Sequence, residues 1–256
     1  MVKTWDPDQY LKFHGPRIRP ALELLARIEV EDPATVYDLG CGPGNLTGFI
    51  QDKWPGAEVI GVDSSLPMLD EAREKWPDNQ WVEADLNTWA PPAPADVLYS
   101  NAAFQWLGDH DALFVRLLDH LKPGGALAIQ MPRNWQAPSH VAMREAAVAS
   151  PWADRLLPQI RQAPVADPEV YYDLLRPHLS ALDIWEVEYL QVLEGDNAVA
   201  EWTRGTALRA LLDVLDADER EVFFDQYSAI TQKAYPKRAD GATLYPFRRL
   251  FMVGTR

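Results

Sequence analysis

Cysteine is almost absent from this chain, and long hydrophobic runs are missing altogether. The 256 residues include one cysteine, Cys41, so no internal disulfide can form, which favours a reducing compartment. No apolar run approaches the roughly 20 residues needed to span a bilayer. Residues 1–6 contain no apolar segment of the kind that directs secretion. We therefore expect a cytoplasmic protein with no membrane partner.

Positive charge is also in short supply. Lysine and arginine number 24 against 38 acidic residues, which gives a formal net charge of −14. Such a surface repels nucleic acid and anionic lipid, so neither is expected as a partner. An acidic small-molecule substrate would be repelled as well, unless a local group of arginines overcomes the field of the whole protein.

The hydrophobic content of 47% is that of a globular protein, and its pattern alternates between strands and helices. Strands are predicted at residues 35–39, 58–62, 80–84, 96–100 and 125–131. Helices are predicted between them at 45–54, 66–76 and 109–121. This alternation is typical of βαβ units and a parallel sheet. With two further strands near the C-terminus, it predicts a doubly wound, Rossmann-like α/β fold with a seven-stranded, mainly parallel sheet.

The remaining segments predict helices around that sheet, all within a single domain of residues 1–256. Residues 10–28 are expected to form one or two helices, interrupted by Gly15-Pro16. The predicted parts are N-terminal helices at 1–30, a cofactor-binding core at 31–135, a helical cap at 136–181 and 194–241, and closing strands at 182–193 and 242–256.

A glycine-rich turn follows the first predicted strand. Gly40, Gly42 and Gly44 lie between Asp38 and Asn45, at the carboxyl end of the strand, where ligands bind in doubly wound sheets. Glycine lets the backbone approach a ligand closely and adopt positive φ. Such a turn alone does not separate phosphate-binding, dinucleotide-binding and other nucleotide loops.

Acidic residues after three successive strands narrow the choice of ligand for this turn. Asp38, Asp63 and Asp85 end or follow the first three strands, so their carboxylates are expected along one edge of a parallel sheet. A row of like charges is costly to desolvate, so the ligand should bring positive charge and hydrogen-bond donors. S-adenosylmethionine does so and carries no phosphate. The Gly-x-Gly-x-Gly spacing departs from the dinucleotide pattern, and no Tyr-x-x-x-Lys pair occurs, which argues against a nicotinamide oxidoreductase.

The glycine turn, Asp63 and Asp85 resemble motifs I, II and III of class I methyltransferases. Residues 5–20, 101–110 and 130–135 are similar to the trans-aconitate 2-methyltransferase family, and shorter matches extend to the C-terminus. The resemblance implies S-adenosylmethionine as cofactor and transfer of its methyl group to one carboxylate of trans-aconitate. The implied cofactor-binding residues are Asp38, Gly40, Cys41, Gly42, Gly44, Asn45, Asp63, Ser64, Asp85, Leu86, Asn101 and Trp106.

The substrate-binding residues are expected to be arginines, which suit carboxylates through their two-pronged geometry, and neighbouring polar or aromatic residues. The candidates are Tyr10, Arg19, Trp135, His140, Arg144, Tyr172, Arg209 and Arg249. In one departure from the family pattern, Arg248 stands beside Arg249, where a single arginine is expected.

Positioning alone is expected to drive the reaction, with no catalytic residue. No metal is expected, because the histidines lack ligand spacing. The expected assembly is a monomer or weak homodimer. A methyltransferase for another small carboxylic acid or metabolite, and a binding module without activity, remain alternatives.

Overall fold

A computed structural model describes residues 14–161 and 163–256 of the chain. Its sheet has seven strands in the order β3-β2-β1-β4-β5-β7-β6. The strands are β1 (Thr35–Leu39), β2 (Glu58–Asp63), β3 (Gln80–Glu83), β4 (Ala95–Asn101), β5 (Leu121–Pro132), β6 (Ala181–Leu193) and β7 (Thr243–Thr255). The α-helices of the described residues are α1 (His14–Ala26), α2 (Thr47–Lys53), α3 (Leu66–Lys75), α4 (His110–Asp119), α5 (Pro138–Ala149), α6 (Ala153–Leu156), α7 (Pro168–Leu175), α8 (Ala198–Arg204), α9 (Arg209–Asp213) and α10 (Ala217–Ala234).

The sheet confirms the predicted fold class. β1 pairs in parallel with β2 on one side and with β4 on the other, and β3 and β5 extend the parallel part outward. β7 is antiparallel to β5. Strands β2 and β3 lie on one side of β1, and β4 and β5 lie on the other. The carboxyl end of β1 is therefore the switch point at which doubly wound folds bind ligands.

Local sequence explains why the helices form where they do. In α4 the N-cap Asp109 accepts a hydrogen bond from the backbone of Ala112 at 3.3 Å, and Leu113, Phe114 and Leu117 line the buried face. This is a capped amphipathic helix. A full capping box between Asp216 and Glu219 starts α10 in the same way.

Two predicted boundaries near the N-terminus are wrong. The helix after the glycine turn begins at Thr47 and not at residue 45, because residues 42–46 form turns. The nitrogen of Thr47 donates to the carbonyl of Gly44 at 3.3 Å, and the first helical bond runs from Ile50 to Leu46 at 3.0 Å. Helix α1 continues through Gly15 and Pro16, where an interruption was predicted.

The chain divides into two compact units. The described residues of the unit we call the helical unit are mainly those in Arg133–Ala163 and Glu188–Arg248, and the sheet unit contains Arg17–Pro132, Pro164–Val187 and Arg249–Arg256. The core of the helical unit includes Met143, Leu211, Phe223 and Tyr227, all buried. The core of the sheet unit includes the fully buried strand residues Val36, Val62 and Leu98. None of the helices in residues 14–161 and 163–256 combines the length and apolarity needed to cross a membrane.

Candidate active site

The glycine-rich turn of the sheet unit is held tightly against strand β2. The backbone nitrogens of Gly40 and Cys41 both donate to the carbonyl of Val62, at 2.7 and 3.1 Å. Gly40, Gly42 and Gly44 have φ angles of 75°, 54° and 69°, a region that other residues enter at a cost. All three glycines of the motif are therefore required by the backbone of the turn.

Two of these glycines also have no room for a side chain. A Cβ atom on Gly40 would lie 2.2 Å from the Cβ of Ala103, and one on Gly44 would lie 2.7 Å from the ring of Trp81. The indole of Trp76 donates to the carbonyl of Gly44 at 3.0 Å. Sequence analysis missed Ala103, Trp76 and Trp81, since an alanine and two tryptophans outside any motif give no signal of this packing.

Asp38, at the end of β1, is a buried carboxylate with an unused oxygen. Its side chain is 2% exposed, and its Oδ2 atom has no hydrogen-bond partner among the described residues. Burial, and then the negative charge of Asp63, raises the pKa of Asp38 to about 7. A ligand with an ammonium group would supply the missing donor and favour the ionised form.

Asp63, at the end of β2, is already oriented by backbone donors. Its Oδ2 accepts from the nitrogen of Gly42 and its Oδ1 from the nitrogen of Ser65, both at 2.9 Å. Each carboxylate oxygen can accept a second hydrogen bond, so both remain able to bind the two hydroxyls of a ribose. Ser64, the next residue, is exposed.

Asp85 and Asn45 lie at the periphery of this edge. Asp85 follows β3, is exposed, and accepts at Oδ1 from the backbone and side-chain nitrogens of Asn87, at 2.9 and 2.8 Å. Its neighbour Leu86 is 6% exposed. Asn45 accepts a hydrogen bond from Lys75 at 3.3 Å. Asp85 therefore has one oxygen fixed by a local turn, while Leu86 offers a buried apolar contact.

The end of β4 contributes a second unused buried acceptor. The Oδ1 atom of Asn101 is buried and has no partner among the described residues. The next residue, Ala102, has a φ of 55°, a strained conformation of the kind found at functional sites. It leads into the short turn Phe104–Trp106, which ends at Trp106, 48% exposed.

His110, at the end of the 101–110 segment, contacts this turn although it was not among the candidate site residues. His110 lies 2.9 Å from the carbonyl of Phe104 through Nε2 and 2.7 Å from the hydroxyl of Tyr171 through Nδ1. The tyrosine hydroxyl also accepts a hydrogen bond from the nitrogen of Ala166 at 3.1 Å. Because a carbonyl oxygen can only accept, Nε2 donates to Phe104, and in this neutral tautomer Nδ1 accepts from the hydroxyl of Tyr171.

These observations fit S-adenosylmethionine. The buried oxygens of Asp38 and Asn101 that have no partner among the described residues can accept hydrogen bonds from a ligand, whereas a phosphate-binding turn would offer donors. Cys41 is buried, and burial keeps the pKa of its thiol above the ordinary value, so it packs as a neutral group. Residues 14–161 and 163–256 contain no group of three His, Cys, Asp or Glu side chains that could hold a metal ion.

The candidate substrate residues of the helical unit are placed in three different ways. Trp135 and His140 contact each other, with ring centroids 5.2 Å apart, and burial lowers the pKa of His140 to about 4. Arg144 is exposed on α5. Arg209 lies with its Nε atom 3.6 Å from a carboxylate oxygen of Asp213 on the same helix. Of the candidates that the structure describes in this unit, Trp135 and His140 lie in contact, whereas Arg209 lies beside Asp213.

The sheet unit holds Arg19, Tyr172 and Arg249. Arg249 is 5% exposed, and its Nη1 donates to Oε1 of Gln130 at 3.1 Å. Arg19 is exposed and donates to Glu23 of its own helix at 2.7 Å, and Tyr172 is 50% exposed. Tyr10 lies outside the described residues.

The adjacent arginines of β7 differ in their surroundings. Arg248 belongs to the helical unit, is half exposed, and lies 3.7 Å from Glu188. Arg249 is buried, as the alternation of side chains along a strand requires. Arg248 therefore does not add a second buried cation beside Arg249.

Comparison with known proteins identifies the family. A family model described as a methyltransferase domain matches residues 36–125. A trans-aconitate 2-methyltransferase of Azoarcus sp. (strain BH72) is 51% identical to the chain over the full length of both proteins. The chain belongs to the trans-aconitate 2-methyltransferase family. A second member, from Rhodopseudomonas palustris (strain BisB5), is 47% identical over all of both chains.

A solved structure shows the same fold at much greater distance. A phosphoethanolamine N-methyltransferase 2 of Haemonchus contortus, in complex with phosphomonomethylethanolamine and S-adenosylhomocysteine, is 16% identical, with a TM-score of 0.56. The match covers 93% of this chain and 52% of that one. The family resemblance read from the motifs is confirmed, and this enzyme is a methyltransferase that uses S-adenosylmethionine. The individual site residues stay predictions.

Proposed function

We propose that this enzyme methylates one carboxylate of trans-aconitate and forms its monomethyl ester. The observation that carries the proposal is the 51% identity over full length to a relative named for that reaction. The buried guanidinium of Arg249 supports it, because a cation removed from water is a strong partner for a carboxylate. The overall charge of −14 makes such a local cation necessary.

The methyl transfer requires little of the protein beyond the positioning of the acid and the cofactor. When bound, the cofactor supplies a methyl group, and the methyl–sulfur bond breaks as a carboxylate oxygen of the acid bonds to the methyl carbon. No proton has to move, since a carboxylate is ionised at neutral pH. Proximity and orientation can supply about 7–11 kcal/mol of such a barrier. No residue of the chain is needed as a base.

The residues at the edge of the sheet have distinct proposed roles toward the cofactor. Asp63 accepts from the ribose hydroxyls, with its carboxylate held in place by Gly42 and Ser65. Asp38 and Asn101 use their free buried oxygens to accept from the amino-acid end. The glycine turn lets its backbone approach the ligand without side chains in the way.

The acid is proposed to bind through arginines and uncharged polar groups. Arg249 is the strongest candidate, because it is buried and oriented. His140 is neutral at physiological pH, since burial lowers its pKa to about 4, so beside Trp135 it would donate or accept a hydrogen bond without adding charge. The other proposed contacts are Tyr10, Arg19, Arg144, Tyr172 and Arg209.

A panel of acids tests the proposal. Initial rates are measured with trans-aconitate, cis-aconitate, citrate and monocarboxylic acids, for the wild type and for Arg144→Ala, Arg209→Ala and Arg249→Ala. We expect trans-aconitate to be preferred, because an acid with fewer or differently placed carboxylates leaves a buried cation unpaired. If one of these arginines binds the acid, its alanine variant has a higher KM for the acid and an unchanged KM for the cofactor.

Arg27→Ala is the matched control, because Arg27 is an exposed arginine of the sheet unit paired with Asp183. Equal turnover of monocarboxylic acids, or wild-type kinetics in all three arginine variants, would refute a tricarboxylate substrate. Preference for a different acid would instead mean that the enzyme methylates another small carboxylic acid.

We also propose that the enzyme acts in the cytoplasm on a small molecule, as a monomer or weak homodimer and without nucleic acid. The single cysteine and the net charge of −14 support this. Light scattering after size exclusion measures the assembly directly, and a stable larger oligomer would contradict it.

A further inference from the structure

Gln130 lies in the interior of the sheet, yet half of its amide group is unused. It belongs to β5, where Asn101 of β4 and Phe251 of β7 are its neighbours across the sheet. It is 0% exposed. Its Oε1 atom accepts from Arg249 at 3.1 Å, but its Nε2 atom is buried and has no partner among the described residues. An unpaired buried amide donor costs about 1–3 kcal/mol.

The orientation of this amide is fixed by chemistry. A guanidinium group has donors only, so the oxygen of Gln130, and not its nitrogen, must face Arg249. Rotating the amide would place two donors against each other and leave the oxygen unpaired. The Nε2 donor therefore remains without an acceptor among the described residues.

Gln130 also differs from the partners of other candidate arginines. Arg19 donates to a carboxylate oxygen of Glu23 at 2.7 Å, and Arg209 lies 3.6 Å from one of Asp213. An amide oxygen orients a guanidinium without cancelling its charge, whereas a carboxylate does both. The bond to Gln130 thus orients one nitrogen of Arg249 and places no negative charge beside it.

We propose that Gln130 is a binding residue for a carboxylate of the acid substrate. Its oxygen holds Arg249, and its Nε2 donates to the carboxylate that pairs with the same guanidinium. A planar amide beside a planar guanidinium offers two donors to the two oxygens of one carboxylate, which is the two-pronged arrangement that carboxylates prefer. The inference rests on the proposed function, and it gives a substrate-binding role to a residue of the 130–135 segment that was not among the candidates from the sequence.

Two substitutions separate the roles of the amide. Gln130→Met keeps the length of the side chain and removes both the bond to Arg249 and the proposed bond to the substrate. Gln130→Glu keeps the shape, replaces the donor with an acceptor and places a carboxylate beside Arg249. The same changes at Gln51 are the matched controls. Gln51 also uses its Nε2, donating to carbonyls including those of Trp54 and Ala57, but it lies at the end of α2 that precedes β2.

Two measurements are made for each variant: the KM values for acid and cofactor, and the dissociation constant of trans-aconitate by calorimetry in the presence of S-adenosylhomocysteine. We expect Gln130→Met to weaken acid binding about tenfold or more, as the loss of a bond to a charged group predicts. Gln130→Glu should weaken it further, and lower pH should relieve part of that loss as the new carboxyl group is protonated. Cofactor constants should stay at the wild-type value.

Acid binding at the wild-type level in Gln130→Glu, or equal losses for acid and cofactor, would overturn the inference. If Gln130→Met fails to fold, the isosteric Gln130→Glu decides alone. A wild-type enzyme that neither binds nor methylates trans-aconitate would refute the proposed function instead, so the two failures are distinguishable.

Discussion

Asp38 shows how burial prepares a single residue for its ligand. A carboxyl group that is 2% exposed and lies close to the charge of Asp63 is costly to ionise. Its pKa of about 7 exceeds the ordinary value of 3.8. Because the folded-state pKa is raised, the contribution of this group to stability is fully present below pH 3.8 and is lost as the pH rises through about 7. Without the cofactor, ionisation of Asp38 therefore lowers the stability of the folded protein.

We expect cofactor binding to release a proton from Asp38. An ammonium group beside Asp38 favours the ionised form, so affinity for S-adenosylmethionine should increase as the pH rises toward and past about 7. Calorimetry in buffers with different ionisation enthalpies measures the released proton. The release should disappear in Asp38→Asn, and an unchanged proton count in that variant would contradict the assignment.

Asp63 provides a second test at the scale of one residue. Asp63→Ala removes charge-assisted hydrogen bonds to the ribose and should weaken cofactor binding by about 1.5–3 kcal/mol. Asp70→Ala, which removes an exposed carboxylate of α3 paired with Arg73, is the control and should leave the dissociation constant unchanged. Equal constants for Asp63→Ala and the wild type would show that this carboxylate does not bind the ribose.

At the scale of elements, the glycine turn combines two separate constraints. Gly40 and Gly124 both have positive φ angles, 75° and 78°. Only Gly40 faces a neighbour, because a Cβ atom there would lie 2.2 Å from the Cβ of Ala103, while Gly124 has nothing within 4 Å. A comparison of the two positions therefore separates backbone strain from crowding.

We predict that Gly124→Ala lowers the free energy of unfolding by about 1–2 kcal/mol, the cost of the left-handed backbone. Gly40→Ala should lower it by about 2–5 kcal/mol, because an overpacking cost is added. Denaturant titration measures both values. Equal losses would mean that Ala103 moves aside freely and does not fix the turn.

Local patterns predicted much of the architecture but less of the site. The edges of β1 and the start of α3 follow directly from apolar runs and turn residues. The three acids were predicted from their place after successive strands, and the structure places them at the ends of β1, β2 and β3. The Gln130–Arg249 bond was not predicted, because its partners are 119 positions apart and meet only when β5 pairs with β7.

For the whole molecule, the net charge of −14 acts in opposite directions on the two ligands. S-adenosylmethionine carries net positive charge and is attracted, whereas a tricarboxylate is repelled. Salt screens both effects, because the Debye length falls to about 8 Å at physiological ionic strength. Short buried contacts, such as the one proposed for Arg249, are screened much less.

We therefore expect moderate salt to weaken cofactor binding slightly and to leave the KM for the acid unchanged or lower. Kinetics at low and physiological ionic strength measure both trends. A large rise in the KM for the acid with added salt would show that exposed cations, and not buried ones, hold the substrate.

The most direct test of the central claim is the identity of the methylated product. The enzyme is incubated with trans-aconitate and S-adenosylmethionine carrying an isotopically labelled methyl group, and the acid is analysed by mass spectrometry before and after mild base. The account predicts a labelled monomethyl ester that base hydrolyses, formed only when enzyme, cofactor and acid are all present. Unlabelled trans-aconitate recovered unchanged, or a label that resists base, would contradict it.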